Sequence, residues 1–301
     1  MSRQFIITVP VFLLLVGCGR AQQGRQQSQG DDLLAADAEV QQLAGDFRFT
    51  EGPAPDIRGN IYFTDIPNNR IHVWTLEDAL TTFRENSGGA NGLYFDSQGN
   101  LIACEGGNRR LVSISPQGDV TVLADTYQGN RFNSPNDLWV DADDGVYFSD
   151  PRYGNRDNME MGEHVYYLSP DRERLIRVID DMERPNGVIG TSDGKTLYVA
   201  DQGAGETYRY TINEDGTLSD KTLFVSQGSD GMTIDNQGNI YITSGAVEVY
   251  DPEGAHVLSI SIPESPANLC FGGENADELY ITARTSLYVV PMQVRGIQML
   301  K

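Results

Sequence analysis

Short runs of β-branched and aromatic residues, each bounded by turn residues, recur along most of this chain: Ile61-Tyr62-Phe63-Thr64, Val146-Tyr147-Phe148-Ser149, Leu197-Tyr198-Val199-Ala200, Ile240-Tyr241-Ile242-Thr243 and Leu279-Tyr280-Ile281-Thr282. Runs of this length and composition predict strands. With Leu101 they form six copies, starting at Ile61, Leu101, Val146, Leu197, Ile240 and Leu279, at intervals of 40, 45, 51, 43 and 39 residues. Further strands follow each copy, such as Arg70 to Thr75, or Leu111 to Ser115 and then Val120 to Ala124. Units of that size built from strands and turns predict one blade each, and so an all-β, six-bladed β-propeller. The segment near Glu39 to Phe49 is expected to join the last unit beside Ser286 to Pro291, which would hide both sheet edges.

Counting back 10 or 11 residues from each start lands on Glu51, Asn91, Asn136, Asn186, Asp230 and Asn268, and every one carries a side-chain oxygen. In a propeller the innermost strands run beside the central channel, so equivalent positions in six blades form a ring around one axis. Taken singly, Asn91-Gly92, Asn186-Gly187 and Asp230-Gly231 are ordinary turn dipeptides. Six oxygen donors in one register, with Glu51 among them, point instead to a polar ring.

The ends of the chain read differently. Arg3, the apolar stretch Phe5 to Val16, and Leu15-Val16-Gly17-Cys18 make a secretory signal too short to span a membrane as a helix. The cysteine resembles the lipobox of bacterial lipoproteins, which implies cleavage after residue 17 and a lipid on Cys18. Gly19 after the cysteine favours, by analogy, the outer membrane and a periplasm-facing protein. Residues 18–36, rich in Gln, Gly, Ser and Asp, are expected to be a flexible tether, leaving residues 37–301 as the propeller. The formal charge of -21, with no basic run after the signal, excludes a nucleic-acid partner. Within the expected domain, Cys104 and Cys270 fall in apolar strands of non-adjacent units, as buried free thiols do. His72, His164 and His256 lack metal-ligand spacing.

Several motifs together are more specific than any one of them. Glu51-Gly52-Pro53, Ser134-Pro135-Asn136-Asp137, Ser149-Asp150-Pro151-Arg152-Tyr153-Gly154, Arg184-Pro185-Asn186-Gly187, Leu197-Tyr198-Val199-Ala200-Asp201, Ser229-Asp230-Gly231-Met232, Phe271-Gly272-Gly273 and Thr285-Ser286-Leu287-Tyr288 run from about Phe47 to the end. As a set they resemble the gluconolactonase branch of the senescence-marker-protein, gluconolactonase and luciferin-regenerating family. The resemblance implies a six-bladed propeller with one divalent cation in its central channel. That cation is usually calcium, with Mg2+, Mn2+ or Zn2+ as alternatives. Carried over residue by residue, its ligands are Glu51, Asn136, Asn186 and Asp230, with Asp230 also the proposed acid/base. Asn91 and Asn268 are left for water or substrate contacts. The family's mammalian sugar lactonases carry an Arg two residues before the third-blade Asn. Ser134 stands there in this chain, with Arg131 near enough to substitute.

A donor set of carboxylate and amide oxygens suits a hard cation, and nothing in it offers the nitrogen or sulfur that selects Zn2+. Open coordination positions would take water or a substrate oxygen, letting the cation polarise a lactone carbonyl. Asp230 as a metal ligand would be a weakened base, so it is expected to position and deprotonate a water that the cation has already acidified. The loop from Pro151 to His164 is long enough to overhang the channel, where Arg152 and Tyr153 could bind sugar hydroxyls. These readings imply a monomeric carboxylic-ester hydrolase that opens a small sugar lactone such as glucono-1,5-lactone, touching the membrane only through its lipid. The rivals are a phosphotriesterase-like or other ester hydrolase on the same site, and a non-catalytic propeller that calcium merely stabilises.

Overall fold

The computed structural model describes residues 32–297, and the expected signal and lipid-bearing cysteine lie outside them. Six four-stranded antiparallel sheets follow one another in chain order. Their innermost strands are Thr50–Pro55, Ala90–Phe95, Leu138–Val140, Pro185–Gly190, Met232–Ile234 and Pro266–Gly272. Each touches the next, and the last touches the first, so the blades close into a ring. The second strand of each blade begins at Ile61, Leu101, Val146, Thr196, Ile240 or Glu278, within one residue of the expected starts.

Closure follows the expected route. Gln41–Ala44 adds an outermost strand to blade 6, pairing Gln41 with Val289 and Gln42 with Tyr288. The domain nevertheless begins before residue 37. Leu33 is buried, its carbonyl accepts from Gln293 N (2.8 Å), and Ala35 N donates to Pro291 O (3.1 Å). Leu33 and Leu34 are the apolar pair in an otherwise polar stretch, and burying them against blades 5 and 6 removes their surface from water. The end of the expected tether is therefore docked on the propeller.

The core lies between blades. Tyr147, Tyr166, Phe148 and Phe132 fill the wedge beside blade 3, while Tyr241 and Phe271 meet edge to face between blades 5 and 6. Cys104 and Cys270 are both buried and unpaired. His72 packs against Phe47 and Phe63, and His256 sits at the surface against Glu248.

Around the axis the strands approach too closely for a side chain. A Cβ at Gly52, whose φ is +50°, would lie 2.0 Å from Asn91 O; one at Gly231 would lie 2.0 Å from the Asn268 amide. Glycine is required at both places by contact between neighbouring blades. The Glu-Gly, Asn-Gly and Asp-Gly pairs are thus not hairpin turns. They seat a polar residue at the channel and let the next blade pass beneath it.

Candidate active site

Each blade's second strand returns to the mouth of the channel, and in blades 1, 3 and 4 an acidic residue there secures the chain entering the innermost strand. Asp65 accepts from Arg48 N and Phe49 N (both 3.2 Å), Asp150 from Asn133 N (2.8 Å) and Ser134 N (2.7 Å), and Asp201 from Glu183 N and Arg184 N (both 2.8 Å). In blade 5 Thr243 Oγ1 does the same for Gly231 N (2.9 Å). These clamps fix the backbone two and three residues before Glu51, Asn136 and Asn186 and one residue after Asp230, so those four ring residues leave rigid strand starts.

The structure brings the side chains of Glu51, Asn186, Asp230 and Asn268 together, and seats Asn91 and Asn136 beside them through their backbone. Asn186 Nδ2 donates to Asp230 Oδ1 (2.6 Å) and to the Tyr153 hydroxyl (2.7 Å), leaving Asn186 Oδ1 buried with no partner among the described residues. Asn91 Oδ1 is likewise buried and unpartnered. Glu51 is buried, and its Oε2 accepts from Gly52 N (2.7 Å). Asn136 is held through its backbone, N to Ser149 O (2.9 Å) and O from Gly92 N (2.7 Å). Asn268 accepts from Leu269 N on Oδ1 (2.8 Å), and its amide favours the charged forms of both Glu51 and Asp137.

Asp137 is the site residue that sequence reasoning missed. The ring register places it one step after Asn136, where blades 1, 2, 4 and 5 carry glycine. Its carboxylate takes that space and accepts from Val188 N (3.1 Å). The signal was present: an acid at the one ring-following position where four blades need glycine.

The electrostatics follow from the crowding. Burial, and then the charge of Asp230, hold the Glu51 carboxyl well above the usual carboxylate range. Burial pushes Asp137 up to about 7 against two backbone hydrogen bonds. Burial also raises Asp230 to about 6, opposed by the hydrogen bond from Asn186 and the Arg284 guanidinium. Carboxylates that resist ionisation beside orphaned amide oxygens form a site short of positive charge. Among the described residues no three His, Cys, Asp or Glu side chains form a metal cluster. A cation here would be held by a mixed carboxylate and amide set.

Over the ring lies the expected overhang, residues 151–163, and it is largely bonded to itself. Arg152 gives its donors to Asn133 O (2.8 Å), Asn155 O (2.7 Å) and Asn158 Oδ1 (2.8 Å). Arg131 donates to Asn108 O (3.1 Å), and Ser134 Oγ donates to Gly106 O (3.4 Å). Of the lid residues proposed for substrate, Tyr153 reaches the ring: its hydroxyl accepts from Asn186 and donates to Gln202 Oε1, while Arg184 lies over its ring (5.3 Å). Beside the lid, over blades 4 to 6, a polar pocket of about 390 Å3 opens onto Asp230, lined also by Gln202, Thr243, Ser244, Ser265 and Arg284. A cavity of about 490 Å3 on the opposite face, between blades 1 and 2, has no ring residue in its walls.

The sequence profile of the SMP-30/gluconolactonase/LRE-like region matches residues 49–285, from the first ring residue to the last hairpin. The chain belongs to this family. It is 31% identical to a gluconolactonase of Zymomonas mobilis over 302 aligned positions, covering 88% of this chain and 85% of that one. A solved gluconolactonase from Xanthomonas campestris superposes with a TM-score of 0.81 at 29% identity, covering 86% and 91% of the two chains. Regucalcin from Agrobacterium tumefaciens, described as a calcium-binding protein, has the same fold with a TM-score of 0.72 at 20% identity, over 84% and 93% of the chains.

Proposed function

We propose that this SMP-30/gluconolactonase/LRE-like protein is a lactone hydrolase that works with a divalent cation, calcium by preference, and opens a sugar lactone such as glucono-1,5-lactone. The observation that carries the reading is the pair of orphaned, buried amide oxygens on Asn91 and Asn186 in a ring whose carboxylates are held above their ordinary range and whose Asp230 opens onto a polar pocket. The gluconolactonase relatives and the calcium-binding neighbour support the same conclusion.

In this reading Glu51, Asn136, Asn186 and Asp230 hold the cation, and Asn91 and Asn268 face the water and substrate around it. When bound, it supplies charge that polarises the lactone carbonyl. Asp230 takes the proton from the attacking water and delivers it to the ring oxygen as the C–O bond breaks, giving the hydroxy acid. Without metal its carboxyl stands at about 6, and a bound cation would lower it, so Asp230 would act on a water that the cation has already acidified. Asn186 orients Asp230 through the 2.6 Å bond, and Tyr153 fixes Asn186 from the lid. Arg152 acts through the lid it braces, and Arg131 stands at its edge.

The test is proton release from D-glucono-1,5-lactone at constant pH, with spontaneous hydrolysis subtracted, using residues 32–301 with calcium, with chelator, and as Asp230→Asn. Turnover should need the cation and fall by roughly a thousandfold in the variant, the range seen when a general base is lost. Calcium-independent turnover, or full activity in the variant, overturns the assignment. The reading includes secretion with a lipid on Cys18, for which the mass of the mature N-terminus is the measurement.

A further inference from the structure

The pocket over blades 4 to 6 contains a group that the hydrolysis of a neutral lactone does not use. Arg284 sits in the two-residue turn between the second and third strands of blade 6 and lines the same pocket as Asp230. No hydrogen bond or ion pair within 4 Å holds its guanidinium among the described residues; it lies over the face of the Phe49 ring, 5.8 Å away, and its charge is felt by Asp230 across the pocket. The arginines in and beside the lid are different. Arg152 is bonded to carbonyl and amide oxygens, Arg109 to backbone carbonyls and Glu160, and Arg156 to Glu163.

Two further facts make the free guanidinium unusual. Arg284 has φ of +46°, in the left-handed region that Gly, Asn and Asp occupy more readily, so the turn tolerates a side chain it does not prefer. Its backbone is also fixed, because Arg284 O accepts from Thr50 N (2.8 Å), the residue before Glu51. A cation is thereby anchored to the ring, at the exposed rim of the pocket, in a chain whose formal charge is -21.

We propose that this pocket selects lactones that themselves carry an anionic group, a carboxylate or a phosphate, on the carbon far from the reacting carbonyl, and that Arg284 binds that group. The inference rests on the lactonase reading above and specifies its substrate class. The geometry sets which end meets Arg284. Asp230, the acid/base of that reading, is a half-buried part of the pocket wall and Arg284 an exposed one, so the reacting carbonyl lies at the Asp230 end and the far end of the molecule meets Arg284. Between them Gln202, Ser244 and Ser265 offer neutral donors and acceptors for ring hydroxyls. A guanidinium in a pocket whose other lining is one carboxylate, Asp230, and neutral residues gives an anion its one favourable position, and a charge-assisted hydrogen bond there outweighs a neutral one.

The experiment compares kcat/KM for three probes, neutral D-glucono-1,5-lactone, its 6-phosphate, and the carboxylate-bearing 1,4-lactone of D-glucaric acid, in the native protein, Arg284→Gln and Arg284→Lys. The native protein should prefer at least one anionic probe by about ten-fold or more, mainly through KM, as expected for one hydrogen bond to a charged group. Arg284→Gln should erase that preference and Arg284→Lys should keep part of it. Which anionic probe is preferred identifies phosphate or carboxylate. If only the neutral lactone turns over, or if the anionic-to-neutral ratio is the same in native protein and Arg284→Gln, the inference is overturned while the lactonase reading stands. If no lactone of any charge is hydrolysed, both fall together.

Discussion

The two ends of the innermost strands differ in how they treat a carboxylate. At the turn end, Asp56 accepts from Arg58 N (2.9 Å), Asn60 N (2.9 Å) and Asn60 Nδ2 (2.7 Å), and Asp96 and Asp235 repeat the pattern with Gln98 and Asn100, and with Gln237 and Asn239. Every such oxygen is satisfied within five residues of chain. At the mouth end, Glu51, Asp137 and Asp230 face one another across blades, with amide oxygens left over. A self-contained turn can be copied from blade to blade because it asks nothing of its neighbours. A ring cannot, because every member is part of every other member's surroundings. Repetition therefore carries the fold, and departure from repetition marks the site.

The sharpest way to break this contrast is to disturb the ring's closest approach. Gly52→Ala puts a Cβ 2.0 Å from the backbone oxygen of Asn91, at a φ of +50°. Backbone cannot swing aside as a side-chain tip can, so the cost should be about 3 kcal/mol or more in chemical denaturation. Gly99→Ala, on the turn face with a comparable positive φ and nothing within 4 Å, should cost about 1 kcal/mol, from backbone conformation alone. Equal losses would show that positive φ, and not blade contact, governs the glycines.

Next in size is the response to pH. The folded protein raises Asp137 to about 7 and Asp230 to about 6, chiefly through burial, and raises Glu51 as well. Between the ordinary carboxylate range and these values the folded state binds more protons than the unfolded one, so in chelator stability should fall as pH rises from 5 to 8. For Asp137 the shift corresponds to a few kcal/mol at most, on the order of 1.4 kcal/mol per unit. Calcium should flatten or reverse the slope by favouring the ionised forms, and Asp137→Asn should flatten it without metal. A chelated protein most stable at pH 8 would refute the account of the ring.

Much of this was legible in the sequence, and the exceptions have physical causes. The blade count, the closing strand and the six ring positions all follow from a period, and a period survives without knowledge of neighbours. Arg284 was invisible because its significance depends on blades 4, 5 and 6 meeting over Asp230, separated from it by more than 50 residues of chain. Arg152 showed the converse failure: a cation on an overhanging loop reads as a substrate contact until its donors are seen on Asn133, Asn155 and Asn158. Leu33 was lost in a polar composition although its own apolarity was the cue.

A smaller effect sharpens the mouth. Tyr153→Phe removes the hydroxyl that accepts from Asn186 and donates to Gln202, without touching a carboxylate. The orientation of Asn186 should loosen and kcat should fall by about ten-fold, the scale of one lost hydrogen bond in a preorganised site. Melting temperature should barely move, because Tyr153 is 42% exposed. A change in KM alone would make Tyr153 a substrate contact only.

The smallest effect should come from the turn face, and it is the most discriminating. Asp56→Ala removes a carboxylate that satisfies two backbone N–H groups, as an N-cap or Asx turn does, on an exposed turn where water can replace it. The loss should be about 1 kcal/mol of stability. Because Asp56 lies at the far end of the strand that bears Glu51, kcat and the calcium requirement should be unchanged. If the same variant alters the calcium requirement, the strand transmits strain along its length, and the separation of a repeating structural end from an irregular chemical end fails at that blade. If stability alone changes, the two ends of one strand have been separated by a single substitution at each.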